Sequence, residues 1–343
     1  MKVLRRLVLF LLLMAIVAGA AVWWVWRKAN EATGTGEGAP RVVLVPTGGD
    51  LAGLVDTLQA QGLVEDVAFF LRWAELRKFS SPRPGRYVVE PGTSINDLVL
   101  RLRRGEQDPV RVTFTNVRTL DELAGRVARY LEPDSLALLE ALRDTTLMRE
   151  HELGPETSIS LFLPNTYEFW WTTTPAAFVE RMAREHDAFW EGARTEKAAR
   201  LGLSPVEVST LASIVQAETI KPDEAPRIAG VYLNRLRIGM PLQADPTLKF
   251  ALGLDSVSRI LDKDKLVDSP YNTYTHAGLP PGPINMPEPR NIDAVLNAER
   301  HDYLYFCARD DFSGYSDFAK SYAEHLRNAR RYQRALNARR IYR

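Results

Sequence analysis

Residues 204–219 read S-P-V-E-V-S-T-L-A-S-I-V-Q-A-E-T, and the way this stretch folds decides where the rest of the chain must go. Ser204 and Glu207 have the spacing of a capping box, Pro205 stands at a first helical position that needs no N–H, and Lys221-Pro222 closes the segment. The pattern predicts one helix over 204–219. Val208, Leu211 and Val215 recur three and four apart as an apolar stripe, and continuing it lands on Glu218, stacked over Ile214 and Val215. A carboxyl on a buried face resists ionisation, so its pKa rises, and a carboxyl still protonated near neutral pH is what a general acid requires. The same residue also reads as the frayed last turn of a surface edge, and the helix alone does not choose between the two.

The flanking stretches have equally definite patterns. Downstream, residues 223–237 predict a helix with Ile228, Val231, Tyr232 and Leu236 on one side and Asn234 and Arg235 in its last turn, ended by Gly239. Asp245 precedes Pro246, where it is placed to cap a helix running to Gly253; that cap weighs against Asp245 as a second catalytic carboxylate. Residues 268–287, D-S-P-Y-N-T-Y-T-H-A-G-L-P-P-G-P-I-N-M-P, hold five prolines and cannot be helical. An ordered loop of this length is either functional or a proline-stiffened cover. Residues 303–308 alternate as a buried strand, which makes Cys307 core, and 322–337 form a last charged helix. Upstream, 175–190 read as a helix and the aromatic stretch 161–171 as core. A strand at 110–114 and a helix over 120–131 open the larger domain.

The N-terminal third has another character. Residues 7–26 are 20 uncharged, mostly apolar residues, enough for a helix to cross the roughly 30 Å core of a bilayer. Lys2, Arg5 and Arg6 precede them and Trp23, Trp24 and Trp26 end them, so the expectation is an anchor with a cytoplasmic N-terminus. The competing reading is a cleaved signal peptide, for which Ala18-Gly19-Ala20 resembles the cleavage site; the length of the apolar run favours the anchor. Residues 31–40 are Gly-rich and read as a flexible tether. Strand, turn and helix then follow twice, at 42–58 and 87–102, with an amphipathic helix around Phe69, Phe70, Trp73 and Leu76 between them.

The whole chain has 44 Lys+Arg against 43 Asp+Glu, but residues 1–28 contain five basic residues and no acidic one, which leaves the remainder at −4. That balance argues against nucleic acid as a partner. The single cysteine excludes an intrachain disulfide, and no metal-ligand spacing, nucleotide loop or Ser-His-Asp arrangement stands out; the five histidines are scattered, and no cofactor or metal is expected. The fold class expected is α+β, divided as residues 1–28 (cytoplasmic tip and transmembrane helix), 29–40 (linker), 41–109 (small α+β module) and 110–343 (larger α+β domain).

Four collinear strings carry a resemblance. L-A-S-I-V-Q-A-E-T at 211–219, N-R-L-R-I-G-M-P-L-Q-A-D-P-T at 234–247, Y-N-T-Y-T-H-A-G-L-P-P-G-P-I at 271–284 and Y-L-Y-F-C-A-R at 303–309 together resemble the YceG-like, MltG-type endolytic murein transglycosylases. The likeness spans about residues 110–340. The Y-x-V-x-x-G-x-S pattern at 87–94 is similar to LysM modules, which bind N-acetylglucosamine-containing glycans; a module that merely positions its neighbour fits it equally. The resemblance implies an inner-membrane protein whose extracytoplasmic domain cuts peptidoglycan glycan strands, with Glu218 in the place of the catalytic glutamate. Glu218 would protonate the bond between N-acetylmuramic acid and N-acetylglucosamine and then take the proton of the muramyl C6 hydroxyl, which closes on C1 to a 1,6-anhydro end. A lone carboxylate suffices because that hydroxyl replaces water. Termination of nascent strands is the expected role, and cell-wall synthases are the expected protein partners.

Asn234, Gln243, Asn272 and Tyr274 are the candidates for holding acetamido and hydroxyl groups, with Tyr271 as a stacking face. Two positions depart from the family pattern: Glu288 stands where glycine is common, and Ser316 where histidine is usual. The rival readings are a muramidase using Asp245 or Asp223 as a second carboxylate, and a catalytically silent glycan-binding scaffold that recruits synthases.

Overall fold

A computed structural model describes residues 2–33, 38–254 and 260–339. Residues 34–37 of the expected tether lie outside the described residues. The chain divides into two compact units, one of Met1–Val112 with Tyr130–Pro133 and Glu168–Thr173, the other of Thr113–Arg129, Asp134–Tyr167 and Thr174–Arg343. Helices and strands mix in both, so the fold is α+β.

The smaller unit opens with α1 (Lys2–Ala29), the one described helix long and apolar enough to cross a membrane, with its aliphatic side chains exposed. Strand β1 (Arg41–Val45), helices α2 (Leu51–Ala60) and α3 (Val67–Leu76), strand β2 (Gly85–Val89) and helix α4 (Ile95–Arg104) follow. β1 and β2 pair antiparallel with Val43 opposite Tyr87. Asp50, Asp66 and Ser94 cap the three helices by accepting from Gly53, Phe69 and Asp97 N–H groups, and Gly105 at φ 73° ends α4. Residues 31–33, read as the start of a flexible tether, are instead fastened to this unit. The Thr33 N–H donates to the Thr93 carbonyl at 2.7 Å and Ala32 bridges Ser94, because Ala29 and Thr33 are buried there.

Strand β3 (Val110–Phe114), helices α5 (Leu120–Val127), α6 (Ser135–Leu142) and α7 (Thr145–Glu150), strand β4 (Asn165–Phe169) and helices α8 (Pro175–Trp190) and α9 (Ala193–Leu201) lead to the central element, α10 (Pro205–Glu218). After it come α11 (Ala225–Arg237), α12 (Asp245–Leu252), α13 (Pro289–Leu296), the antiparallel pair β5 (Tyr305–Ala308) and β6 (Ser316–Ala319), and α14 (Tyr322–Ala338).

The capping box of α10 is formed in both directions: Glu207 N–H donates to Ser204 Oγ at 3.2 Å and Ser204 N–H to Glu207 Oε2 at 2.7 Å. The expectation of a single apolar stripe is too narrow, however. α10 packs against α9, α11, α12 and α13, and all eight residues from Val208 to Val215 are buried. Two of its hydroxyl side chains bond to backbone there. Thr210 Oγ1 donates to the Val206 carbonyl, and Ser213 Oγ donates to the Thr210 carbonyl while accepting from Ile284 N–H. Each fully buried aliphatic side chain on this helix contributes about 1.5–3 kcal/mol, so α10 is the axis of the core rather than a surface element.

Residues 268–287 contain no helix or strand and are nonetheless fixed. Ile284 and Met286 are buried, Met286 N–H donates to the Val117 carbonyl at 2.8 Å, and a Cβ on Gly282 would lie 2.1 Å from the Glu156 carbonyl oxygen. β5 is half-buried rather than the buried strand expected, as is most of its partner β6; burial still pushes the Cys307 thiol up.

Candidate active site

Glu218 is the final residue of α10, where the helix leaves the core. α11 crosses beside it and brings Tyr232, fully buried, so that the Tyr232 hydroxyl donates to Glu218 Oε1 at 2.8 Å. The Glu218 carboxyl is half-buried at the surface of a pocket and is pushed up to about 7. Burial is the main cause, and the negative charge of Asp245 adds to it; the Tyr232 hydrogen bond and the charges of Arg235 and Lys249 pull the other way and lose. A group poised there can hold a proton at neutral pH through Oε2 and release it to a substrate oxygen.

The pocket has a volume of about 280 Å³, and its lining includes Glu218, Tyr232, Arg235, Gln243, Asp245 and Tyr274, with Tyr305, Tyr322 and His325. Arg235 is buried. It donates through Nε to the Leu304 carbonyl at 2.7 Å and through Nη1 to the Leu242 carbonyl at 2.5 Å, which fastens α11 to the segments entering β5 and α12. Gln243 sits at φ 51°, a left-handed conformation unusual for a side chain of its size, held by its N–H donating to the Thr273 carbonyl at 2.9 Å. His325 stacks on Tyr305 at 5.4 Å, and its Nδ1 has no hydrogen-bond partner among the described residues.

Asp245 behaves differently from the cap its position before Pro246 suggested. It makes no side-chain capping bond to α12 and instead accepts from the Tyr274 hydroxyl at 2.6 Å, facing the pocket. An N–H that an Asp245 cap would take is already used: Thr247 N–H donates to the Ala244 carbonyl at 3.1 Å. Asp223, the other candidate second carboxylate, accepts from Tyr315 at 3.1 Å and does not line the pocket.

Of the residues singled out from the sequence, Glu218, Gln243 and Tyr274 meet at this pocket. Tyr271 lines a separate cavity of about 910 Å³, its ring 4.7 Å from that of Phe250. Asn272 is fully buried and is used for folding: its Nδ2 donates to the Lys265 and Val267 carbonyls and its Oδ1 accepts from Tyr274 N–H, which sets the turn that presents Tyr274. Asn234 likewise donates to the His301 and Tyr303 carbonyls at 2.8 and 3.0 Å, so its amide clamps the entry to β5 and stands outside the pocket lining. Ser316 donates through its N–H to the buried Glu224 at 2.8 Å, and Glu288 pairs with Arg290 at 2.7 Å.

Tyr232 and Arg235 are pocket residues that sequence reasoning left unassigned, because their spacing on α11 is equally that of core residues. Histidines separated by 35 positions also meet: Asp187 Oδ1 lies 3.3 Å from His151 Nδ1 and 3.4 Å from His186 Nδ1, away from this pocket.

The model of the YceG-like family matches residues 43–331. A Bacillus subtilis (strain 168) protein named endolytic murein transglycosylase is 26% identical over 309 residues, covering 85% of each chain. One of the same name from Streptococcus pneumoniae (strain D39) is 29% identical over 316 residues; the match takes in 83% of this chain but 57% of that longer relative. The 2.6 Å crystal structure of a putative YceG-like protein from Listeria monocytogenes is similar with a TM-score of 0.57 at 26% identity, covering 84% of this chain and 98% of that one.

Proposed function

The chain belongs to the YceG-like family, and from that premise we propose that it is an endolytic lytic transglycosylase of peptidoglycan that works through Glu218. The observation that carries the assignment is a carboxyl at the end of a buried helix, pushed up to about 7, whose Oε1 accepts from the Tyr232 hydroxyl. Neutral Glu218 donates its proton to the glycosidic oxygen between N-acetylmuramic acid and N-acetylglucosamine, and the C1–O bond breaks. The resulting carboxylate is stabilised by the Tyr232 hydroxyl and takes the proton of the muramyl C6 hydroxyl, whose oxygen bonds to C1. One proton leaves Glu218 and one returns, and the product is a 1,6-anhydromuramyl end. Arg235 favours the carboxylate stage by its charge. Gln243 and Tyr274 are assigned to hold substrate hydroxyl and acetamido groups; Asn234 and Asn272, occupied with backbone, are not.

Around this chemistry we assign α1 as a single-pass anchor in the cytoplasmic membrane, N-terminus inside, with the larger unit outside. The βααβ order of residues 41–89 supports a LysM-like glycan-binding module. Strand termination during synthesis, beside cell-wall synthases, is the role this placement suits.

Asp245 favours a second reading, because it faces the pocket rather than capping α12. In that case it would act on a water, and the enzyme would be a muramidase. Digestion of purified glycan by the full-length chain and by Glu218→Gln, with product ends identified by mass spectrometry, tests both. Anhydro ends made by the wild type and absent with Glu218→Gln are expected; reducing ends carrying an added water would overturn the transglycosylase assignment.

A further inference from the structure

Beside the Glu218 pocket the last turn of α10 and the first turns of α12 enclose a second hollow of about 320 Å³, bordered by Arg118, Gln216, Lys249 and Asn285. It shares the two helices with the first pocket one residue along each: Ala217 and Pro246 line it, Glu218 and Asp245 line the other. The two hollows differ in their charged groups: Glu218, Asp245 and Arg235 line the first, whereas the lining of the second includes the cationic Arg118 and Lys249 and no carboxylate.

Its wall is rigid. Gln216 uses its whole amide: Nε2 donates to Asn285 Oδ1 at 3.1 Å and to the Met286 carbonyl at 3.4 Å, and Oε1 accepts from Glu288 N–H and Asn291 Nδ2, both at 2.7 Å. Asn285 Nδ2 donates back to the Ser213 carbonyl at 3.0 Å. Against this fixed wall stands Lys249, whose charge reaches Glu218. The lining of the hollow itself offers this ammonium no carboxylate, and an anionic ligand group entering it would be matched by Lys249.

Resting on the transglycosylase reading above, we infer that this hollow is a carboxylate subsite, in which Lys249, with Arg118 beside it, binds the acid group carried on the 3-O-lactyl arm of the muramyl residue whose C1 faces Glu218. The arm leaves the sugar two ring carbons from C1, and the adjoining hollows are lined by neighbouring residues of α10 and α12. Its acid is the lactyl carboxylate itself where the peptide has been removed, or a carboxylate of the stem peptide where it has not. Lys249 is thus a specificity residue: it selects an acidic substituent and sets the register of the strand against Glu218.

The test uses the full-length chain in detergent carrying Glu218→Gln, so that binding is read without turnover and without the Glu218 charge. Peptide-free and peptide-bearing glycan oligomers of one length are each titrated calorimetrically before and after their carboxylates are capped as N-methylamides. Capping the recognised substrate is expected to weaken binding about tenfold or more, the effect of one charge-assisted hydrogen bond, and whichever glycan responds identifies the source of the acid. Lys249→Gln should bring the ratio of capped to uncapped dissociation constants close to one, and Lys249→Arg should retain it. A ratio near one without the Lys249 change, or one that Lys249→Gln leaves intact, overturns the subsite. Failure of the wild type to make anhydro ends bears on the transglycosylase reading alone.

Discussion

Replacing Glu218 by Gln should make the protein more stable above neutral pH and leave it unchanged in acid. The folded-state value is about 7 against an ordinary 4.5. Below 4.5 the carboxyl is protonated in both folded and unfolded chains, and Gln, which keeps an oxygen for the Tyr232 hydroxyl, is close to an isostere. Between 4.5 and 7 the unfolded chain gives up its proton while the folded one keeps it, so the wild type loses stability as pH rises through this window. The difference of about 2.5 units at 1.36 kcal/mol each comes to slightly over ~3 kcal/mol at pH 8, or roughly 6–13 °C in Tm for a unit of this size. Thermal melts of the two proteins at half-unit intervals from pH 4 to 8.5 measure it, and the pH dependence of every other group cancels in the difference. Parallel curves across that range would refute the claim that burial holds this carboxyl protonated, and with it the general-acid argument.

Tyr232→Phe removes a hydrogen bond that favours the carboxylate, so the alkaline limb of kcat/KM should move upward by about one unit, the lower end of the 1.5–3 kcal/mol range for a bond to a charged group; a limb that moves down contradicts the geometry. Asp245→Asn removes a charge that raises the Glu218 pKa, so the same limb should move downward while anhydro ends persist. Loss of all cleavage with Asp245→Asn in a folded protein would instead favour the muramidase reading. Gly230→Ala would put a Cβ 2.4 Å from the Glu299 carbonyl oxygen and 2.7 Å from His301 Nε2, and forcing α11 away should destabilise the fold by about 1–3 kcal/mol, read by denaturant titration.

Much of the centre was legible because its signals are local. The capping box at Ser204 and Glu207, the proline that ends α10 and the proline content of residues 268–287 each act within a few residues, and each is found in the structure. What escaped depends on partners distant in sequence. The spacing of Val208, Leu211 and Val215 marks one buried face but cannot show that four helices surround α10 and bury Ser209 and Ser213 as well. Asn234 and Asn272 have the side chains of sugar binders, and nothing local tells whether an amide will meet a ligand or a backbone carbonyl. Asp245 before Pro246 has the statistics of a cap, yet Thr247 N–H bonds to the Ala244 carbonyl and the carboxylate accepts from Tyr274, 29 residues on. Tyr232 fits the apolar side of α11, and only the crossing of α10 by α11 converts its hydroxyl into the partner of Glu218.

The direction in which α10 runs has its own consequence. Glu218 closes the C-terminal end, where the unsatisfied carbonyls of the last turn amount to about half a negative charge along the axis. That field opposes ionisation of a carboxyl, adding to what burial does, whereas at the opposite end the same helix would draw the proton off. An equally greasy helix threaded through this core in the reverse sense, with its glutamate at the N-terminal end, would present a base where this one presents an acid.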